Sequence, residues 1–438
     1  MDIDKTTLAD LSMFRNEDNE SVFDKLNLCS TTHGSEQLHI NFSTALKTKE
    51  EVVAVQQTLQ LIITHQQQWP RDITNGTVMV VEKFFDSHIS TIPSNPSSLE
   101  AYMYKVLHGP DFALVAYSAK HCFDFIKGFQ HLLKLFQGET LPLPLRKILD
   151  KVQQAINKEQ FDIVSKHTNA ESLSRPQLLH FAHFIRYNYK HNMLELVVLY
   201  AQVDAWYGMA MAVQKYGLVF PQFVEHDEPV IEARELYHLL VHEPVAYDVM
   251  LDGKTNFLFL TGANMAGKST FIKSVGASVF LAHIGMGVPA KQMKLTFFDG
   301  LLSNINVVDN IAKGESYFYN EVQRIKSTIN KISDGKKWLI LIDELFKGTN
   351  VQDAMKCSST VIEGLLKIKN SLFILSTHLY EIGQDLKKHP NISFRYFETT
   401  VNEDQLKFSY QLKDGISNDR LGYLILKREG VVEMLEKL

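Results

Sequence analysis

Residues 261–270 read Thr-Gly-Ala-Asn-Met-Ala-Gly-Lys-Ser-Thr, and this stretch decides the fold of the second half of the chain. Gly262, Gly267, Lys268 and Ser269 fit G-x-x-x-x-G-K-[ST], the loop whose backbone N–H groups cradle phosphates. Its flanks suit that reading. Residues 256–260, Asn-Phe-Leu-Phe-Leu, form a short apolar run fit for a buried parallel strand, and residues 271–283 read as a helix. A strand that feeds a glycine turn into a helix N-terminus aims free N–H groups and the positive dipole end at an anion. Gly262, Ala263, Asn264, Met265, Ala266, Gly267, Lys268, Ser269 and Thr270 are therefore the expected nucleotide-binding loop.

Downstream, residues 338–342, Trp-Leu-Ile-Leu-Ile, end in Asp343-Glu344. An apolar strand that delivers an acidic residue is where a P-loop ATPase holds Mg²⁺, so Asp343 is expected to act as a metal ligand beside the hydroxyl of Ser269. Glu344 adds a second carboxylate that can orient and deprotonate an attacking water, which suits hydrolysis rather than transfer to an acceptor. His378 follows the apolar run 372–375 within Ser-Thr-His. Alone, such a histidine is more often structural. After a P-loop and an Asp-Glu strand, it reads as a sensor of the γ-phosphate at the strand end where ligands bind. Lys268, Glu344 and His378 are the expected catalytic set.

The 438 residues have room for two domains with separate cores. Hydrophobic residues make up 45% and charged residues 22%, the range of an ordinary globular protein. A formal net charge of −5 excludes a strongly basic, non-specific nucleic-acid binder but leaves room for a local basic face. Cys29, Cys122 and Cys357 lie far apart with no C-x-x-C pair, which favours reduced thiols over disulfides or zinc. The first residues, Met-Asp-Ile-Asp-Lys, lack the basic and apolar regions of a secretory signal. Residues 194–213 are the most apolar stretch, but Glu195 and Asp204 interrupt it and favour a buried helix over a membrane span. Together these readings place the protein in the cytoplasm, with no membrane partner.

The first half is helical by pattern, with apolar residues at helical spacing over 50–63, 99–107, 112–136, 145–167 and 177–216. Breaks fall at Trp69-Pro70, Gly109-Pro110, residues 142–144 and Gly217. In the second half short apolar runs at 257–260, 338–342, 372–375 and 405–412 alternate with helical stretches, the signature of an α/β sheet domain. The expected architecture is α plus α/β: a helical domain over 1–225 and a P-loop domain over 226–438.

The set of motifs in the second half resembles the ATPase domain of the MutS family of DNA mismatch-repair proteins. The resemblance rests on residues 261–270, on Ile284-Gly-Met-Gly-Val-Pro-Ala290 and on Lys313-Gly-Glu-Ser-Tyr-Phe-Tyr-Asn-Glu321. Ile342-Asp-Glu-Leu-Phe-Lys-Gly-Thr349, Ser376-Thr-His378 and Lys413-Asp-Gly415 followed by Leu421-Gly422 complete it, in the family's order. It implies an ABC-type plan in which two subunits complete each other's sites, so that Ser316 reaches the γ-phosphate held by Lys268 of the partner. Read alone, Gly314-Glu-Ser316 is an ordinary helix start, and the two readings are compatible. The resemblance further implies that Asn264 contacts the terminal phosphate and that Lys347-Gly348-Thr349 carries signals between sites. Two departures stand out. Val245 sits where the family often stacks an aromatic on adenine, leaving Tyr410 as the one ring to hold a purine. Phe346 replaces a small glycine and is expected to crowd the inter-subunit loop.

Residues 1–61 and 196–223 resemble the opening of the family's helical core and the helix that returns to the ATPase. The first half is thus expected to be a core/lever domain with the clamp short or absent, and residues 421–438 to hold dimerising helices. No counterpart of the family's mismatch-reading domain, with its Phe-x-Glu wedge, is found in these residues. The implied function is that of an ATP- and Mg²⁺-dependent homodimeric clamp on double-stranded DNA. The alternative is a nucleotide switch whose helical half binds a protein and never touches DNA. Lys120, Lys127, Lys134, Arg146, Lys147, Lys151, Lys158 and Lys166 are the candidates for the DNA face, against a plain solvated surface. Tyr187, Tyr189, Tyr200, Trp206 and Tyr207 fall at helical spacing and read as core.

Overall fold

The computed structural model describes residues 1–15, 20–263, 265–305, 317–402, 405–417 and 430–436. From the N-terminus the elements are β1 (Asp2–Ile3), α1 (Lys5–Asp10), α2 (Val22–Leu26), α3 (Thr32–Ser43), α4 (Lys49–His65), α5 (Asn75–Asp86), α6 (Ser98–Leu107) and α7 (Gly109–Leu135). Next come α8 (Leu143–Ile156), α9 (Asp162–Lys166), α10 (Arg175–His183), α11 (Lys190–Lys215), β2 (Gln222–Phe223), β3 (Ile231–Leu236), β4 (Tyr247–Leu251) and β5 (Phe257–Thr261). The chain continues through α12 (Lys268–His283), β6 (Gln292–Leu295), β7 (Gly300–Asn304), α13 (Tyr317–Ile332), β8 (Trp338–Asp343), α14 (Val351–Leu365) and β9 (Ser371–Ser376). It ends with α15 (Tyr380–Leu386), β10 (Ile392–Asn402), β11 (Gln405–Asp414) and α16 (Val431–Glu436).

These elements gather into two compact units, one of residues 26–43 and 54–214, the other of 1–25, 44–53 and 215–438. The division is not the linear one at residue 225, because the first residues belong with the P-loop half. β1 pairs in parallel with β7, Asp2 opposite Gly300. Thr7 Oγ1 accepts from the backbone N–H of Ser303 at 3.0 Å. The buried Asp10 accepts from Ser303 Oγ at 2.6 Å and from the Ile305 N–H at 3.1 Å, and Arg324 faces it at 3.3 Å.

The helical unit is built on long apolar faces. α7 buries Val115, Ala119, Cys122, Ile126 and Phe129 at helical spacing. α11 is long and apolar enough to cross a membrane, but 72% of its most apolar window is buried within the protein, as a core helix requires. Within it Asp204 is buried and accepts from the Ser30 N–H (3.0 Å), the Thr31 N–H (2.8 Å) and Thr31 Oγ1 (2.7 Å), which satisfies donors at the start of α3. Burial raises the Asp204 pKa, and the bonds from Thr31 and Ser30 oppose that rise. Asp204→Ala would leave these donors unmatched. It is expected to cost about 2–4 kcal/mol, since a buried group stripped of its partner pays full desolvation. Urea unfolding followed by circular dichroism checks this; an unchanged midpoint would mean that water replaces the carboxylate freely.

Two expected helices are broken. Residues 145–167 divide at Asn157 into α8, a 3₁₀ turn and α9. Residues 177–216 divide at a π-helical turn, Phe184–Asn188. That turn carries Arg186, whose Nη2 donates to Ser87 O at 2.6 Å and whose Nη1 donates to Phe84 O, closing the carbonyl end of α5. Tyr189, Tyr200 and Trp206 are core as expected, and Tyr207 stacks on Trp69 at 4.7 Å. Tyr187 is not core: its ring is exposed.

The second unit holds a seven-stranded sheet in the order β1-β7-β8-β9-β5-β10-β11, parallel except for the β10–β11 pair. A four-stranded sheet runs β2-β6-β3-β4. β5, β8 and β9 are buried at every position, which is why they appear in the sequence as unbroken apolar runs. β9 lies between β5 and β8 and aligns Ser376 with both Leu260 and Asp343. The carboxyl ends of the three central strands therefore emerge side by side, where α/β sheets bind ligands.

Candidate nucleotide site

Two glycines shape the loop after β5. Gly262 has φ +137°, and a side chain there would press on the Phe397 backbone at 3.2 Å. Gly267 has φ +107° and turns the chain into α12, whose first residue is Lys268. The Lys268 ammonium is buried and donates to Gly262 O (2.7 Å) and Ala263 O (3.0 Å), folded back over its own loop. Burial lowers its pKa, while Glu344 and Asp343 hold it up.

At the next residue, Ser269 Oγ donates to Asp343 Oδ2 at 2.5 Å. The other Asp343 oxygen accepts from Ser376 Oγ, so the carboxylate is fixed from both sides. Sequence reasoning gave Ser376 no role of its own; the signal was its place at the end of a strand next to β8. A hydroxyl and a carboxylate side by side fit a Mg²⁺ ion that completes its shell with phosphate oxygens and water.

Glu344 follows β8 with φ +64°, its N–H donating to Ser376 O at 3.0 Å. Its carboxylate lies 3.5 Å from His378 Nδ1 and 3.4 Å from Lys347 Nζ. The hydrogen bond with His378 is the main cause that brings its pKa down to about 2, against burial, with Lys347 and Lys268 adding to it. Lys347 is steadied from behind. The buried Glu321 on α13 accepts from the N–H groups of Lys347 (3.1 Å) and Gly348 (3.2 Å). Phe346 corrects an expectation: its ring does not crowd an outward loop but turns inward, buried against Phe318 at 5.7 Å, while its backbone keeps φ +59°.

The P-loop and Glu344 open onto a cavity of about 580 Å³ lined by Ala263, Met265, Gly267, Lys268, Ser269, Thr270 and Glu344. Val245 and Tyr410, taken from the resemblance, also line it, as do His242, Glu243 and Tyr247. Tyr247 was not anticipated: it alternates inward on β4 like a core residue and packs edge-on against Phe271 (5.4 Å) and Phe397 (5.6 Å). Ala266 is buried within the loop. Asn264, Ser316 and residues 421–427 lie outside the described residues. Among the described residues seven non-glycine positions have positive φ, and Glu243, Met265, Glu344 and Tyr410, four of them, line this cavity.

In the helical unit half of the eight basic candidates are already engaged. Lys120 pairs with Glu171, Lys166 with Asp162, Lys127 donates to Val164 O and His167 O, and Arg146 to Leu141 O. Lys134, Lys147, Lys151 and Lys158 are exposed.

Residues 258–435 match the family described as MutS domain V. Over 297 residues the chain is 27% identical to the DNA mismatch repair protein MutS of Petrotoga mobilis, covering 66% of this chain and 35% of that protein. Over 241 residues it is 27% identical to MutS of Lactococcus lactis subsp. cremoris, covering 54% and 28%. Over 242 residues it is 30% identical to MutS of Persephonella marina, covering 54% and 27%. The chain thus spans about a third or less of the length of these relatives.

Proposed function

Because the chain belongs to the MutS family through its domain V, we propose that it is a Mg²⁺-dependent ATPase of the DNA mismatch-repair type, working as an ATP-driven dimeric clamp on duplex DNA. The observation that supports this best is the meeting of Lys268, Ser269 and Glu344 on one cavity, with Asp343 bonded to Ser269 and His378 beside Glu344. The Lys268 ammonium leaves its loop carbonyls for β- and γ-phosphate oxygens, as a point charge suits. Ser269 and Asp343 would hold Mg²⁺, which when bound would supply charge neutralisation at those oxygens. Glu344 orients the attacking water and takes its proton, and His378 holds that carboxylate while facing the γ-phosphate. Ser316 of a second copy completes the anion site, and Val245 and Tyr410 enclose the base. The P-loop unit supplies the dimer contact, and the helical unit turns closure into a grip on DNA.

The engaged state of Lys120, Lys127, Arg146 and Lys166 favours a second reading, in which the helical unit grips a protein instead. Duplex binding measured with and without ATP, across a salt series and on perfect, mismatched and branched DNA, separates the two. If Lys134, Lys147, Lys151 and Lys158 each neutralise one phosphate, affinity falls about 10²-fold between 50 and 200 mM salt. Absence of salt-sensitive binding to every duplex would leave the protein-switch reading standing.

A further inference from the structure

The loop after β8 is held in a shape that its own residues resist. Glu344 (φ +64°) and Phe346 (φ +59°) are both left-handed, a conformation that persists in bulky residues only where the surroundings enforce it. Helix α13 supplies that enforcement. Phe318 and Glu321 lie one turn apart on the same face of α13, and both meet the loop. The Phe318 ring packs on Phe346 at 5.7 Å. Glu321, only 5% exposed, uses both carboxyl oxygens: Oε1 accepts from the Lys347 N–H (3.1 Å) and Oε2 from the Gly348 N–H (3.2 Å). Three residues further, Arg324 pins α13 itself. It donates to the Asn304 side chain and to Ser303 O at the end of β7, and it faces Asp10 at 3.3 Å. Glu321 thus reaches the loop from a fixed base.

The two left-handed residues curl the chain so that Lys347 Nζ returns to Glu344 Oε2 at 3.4 Å, with His378 3.5 Å from the other oxygen. The Lys347 side chain is 35% exposed and has four rotatable bonds, so an ion pair made from a loose backbone would gain little. Anchoring two consecutive N–H groups fixes the point from which that side chain starts.

We propose that Glu321 is a positioning residue for ATP hydrolysis: by holding the backbone of Lys347 and Gly348 to α13, it keeps Lys347 on one oxygen of Glu344 and so aims that carboxylate at the attacking water. The role rests on the reading of Glu344 as the base. Glu321 does not line the nucleotide cavity, so its effect belongs to turnover and not to ATP binding.

Steady-state ATP hydrolysis and amide hydrogen exchange of the full chain test it together. Glu321→Gln keeps one acceptor and turns an NH₂ group on the other N–H. It should lower kcat about 10–10²-fold, the scale of a small misplacement at a reacting group, with KM for ATP within about threefold of wild type. Exchange at the amides of Lys347 and Gly348, read on peptides spanning 345–350, should speed up by about tenfold or more while β8 and β9 stay protected. Lys347→Met removes the ammonium but leaves both backbone bonds, so it should give a similar loss of kcat with wild-type exchange. The double variant should be no slower than the slower single one, because both changes break the same chain of contacts. Circular dichroism melts report that each variant is folded; should Glu321→Gln fail to fold, Lys347→Met still decides. Losses that multiply in the double variant would reduce Glu321 to a structural role and overturn the proposal. Wild-type kcat in Lys347→Met, or unchanged exchange in Glu321→Gln, would overturn it too. Wild-type turnover in Glu344→Gln would remove the base and this role with it, whereas a slowed Glu344→Gln beside a wild-type Glu321→Gln would overturn the positioning role alone.

Discussion

Lys268→Ala is expected to weaken nucleotide binding by at least 10²–10⁴-fold while the protein unfolds close to its wild-type temperature. The side chain is buried, and among the described residues its hydrogen bonds go to two carbonyls of its own loop. Each charge-assisted bond to a phosphate oxygen contributes about 1.5–3 kcal/mol, and two such bonds account for the loss. Removal also leaves Glu344 and Asp343 to repel the phosphates without the cation that faces them. The fold gives up little, because burial already disfavours the ammonium. Titration with a fluorescent ATP analogue, beside a thermal melt, checks both halves. Binding within tenfold of wild type would show that the loop is not the phosphate site.

Glu344→Gln should leave ATP binding near normal and slow hydrolysis by about 10²–10⁴-fold, the range for loss of a general base. The amide keeps the shape of the group but cannot take a proton. The carboxylate that it replaces is ionised over the whole working range, since His378, Lys347 and Lys268 bring its pKa down to about 2. A depressed carboxylate pKa contributes stability above its unfolded value of 4.5 and loses it only as pH falls through about 2. Any fall in kcat/KM between pH 5 and 8 therefore comes from another group, and the Glu344→Asp profile should keep the wild-type midpoint. If two subunits close over two nucleotides, Glu344→Gln should accumulate as an ATP-dependent dimer in light scattering, and Ser316→Ala should weaken that dimer. Wild-type turnover in Glu344→Gln would remove Glu344 from the chemistry.

What could be read from the sequence was local. The loop at 261–270, the run ending in Asp343-Glu344 and the Ser-Thr-His after β9 each sit within a few residues of the signal that marks them. Their assembly depends on strand order: β9 between β5 and β8 brings Ser376 to Asp343, and no spacing along the chain states that. The same limit hid Tyr247, whose alternation on β4 looks like that of any core tyrosine. It also hid the docking of residues 1–25, which rests on a two-residue strand and on Thr7 and Asp10 meeting Ser303 some 300 positions away. Phe346 shows the opposite error. A resemblance supplied a glycine for comparison and suggested crowding, but a ring on a left-handed residue can turn into the core as readily as out of it.

The left-handed residues around the cavity carry a consequence for heat tolerance. Glu243, Met265, Glu344 and Tyr410 each hold a conformation that costs of order 1–3 kcal/mol for a side chain of their size. Glycine or asparagine would adopt it more easily. A selection for survival at high temperature alone should therefore enrich such replacements at the rim of the nucleotide cavity and yield sturdier proteins with poorer turnover. A selection that also demands turnover should leave those positions untouched and find its gains elsewhere, in the helical unit.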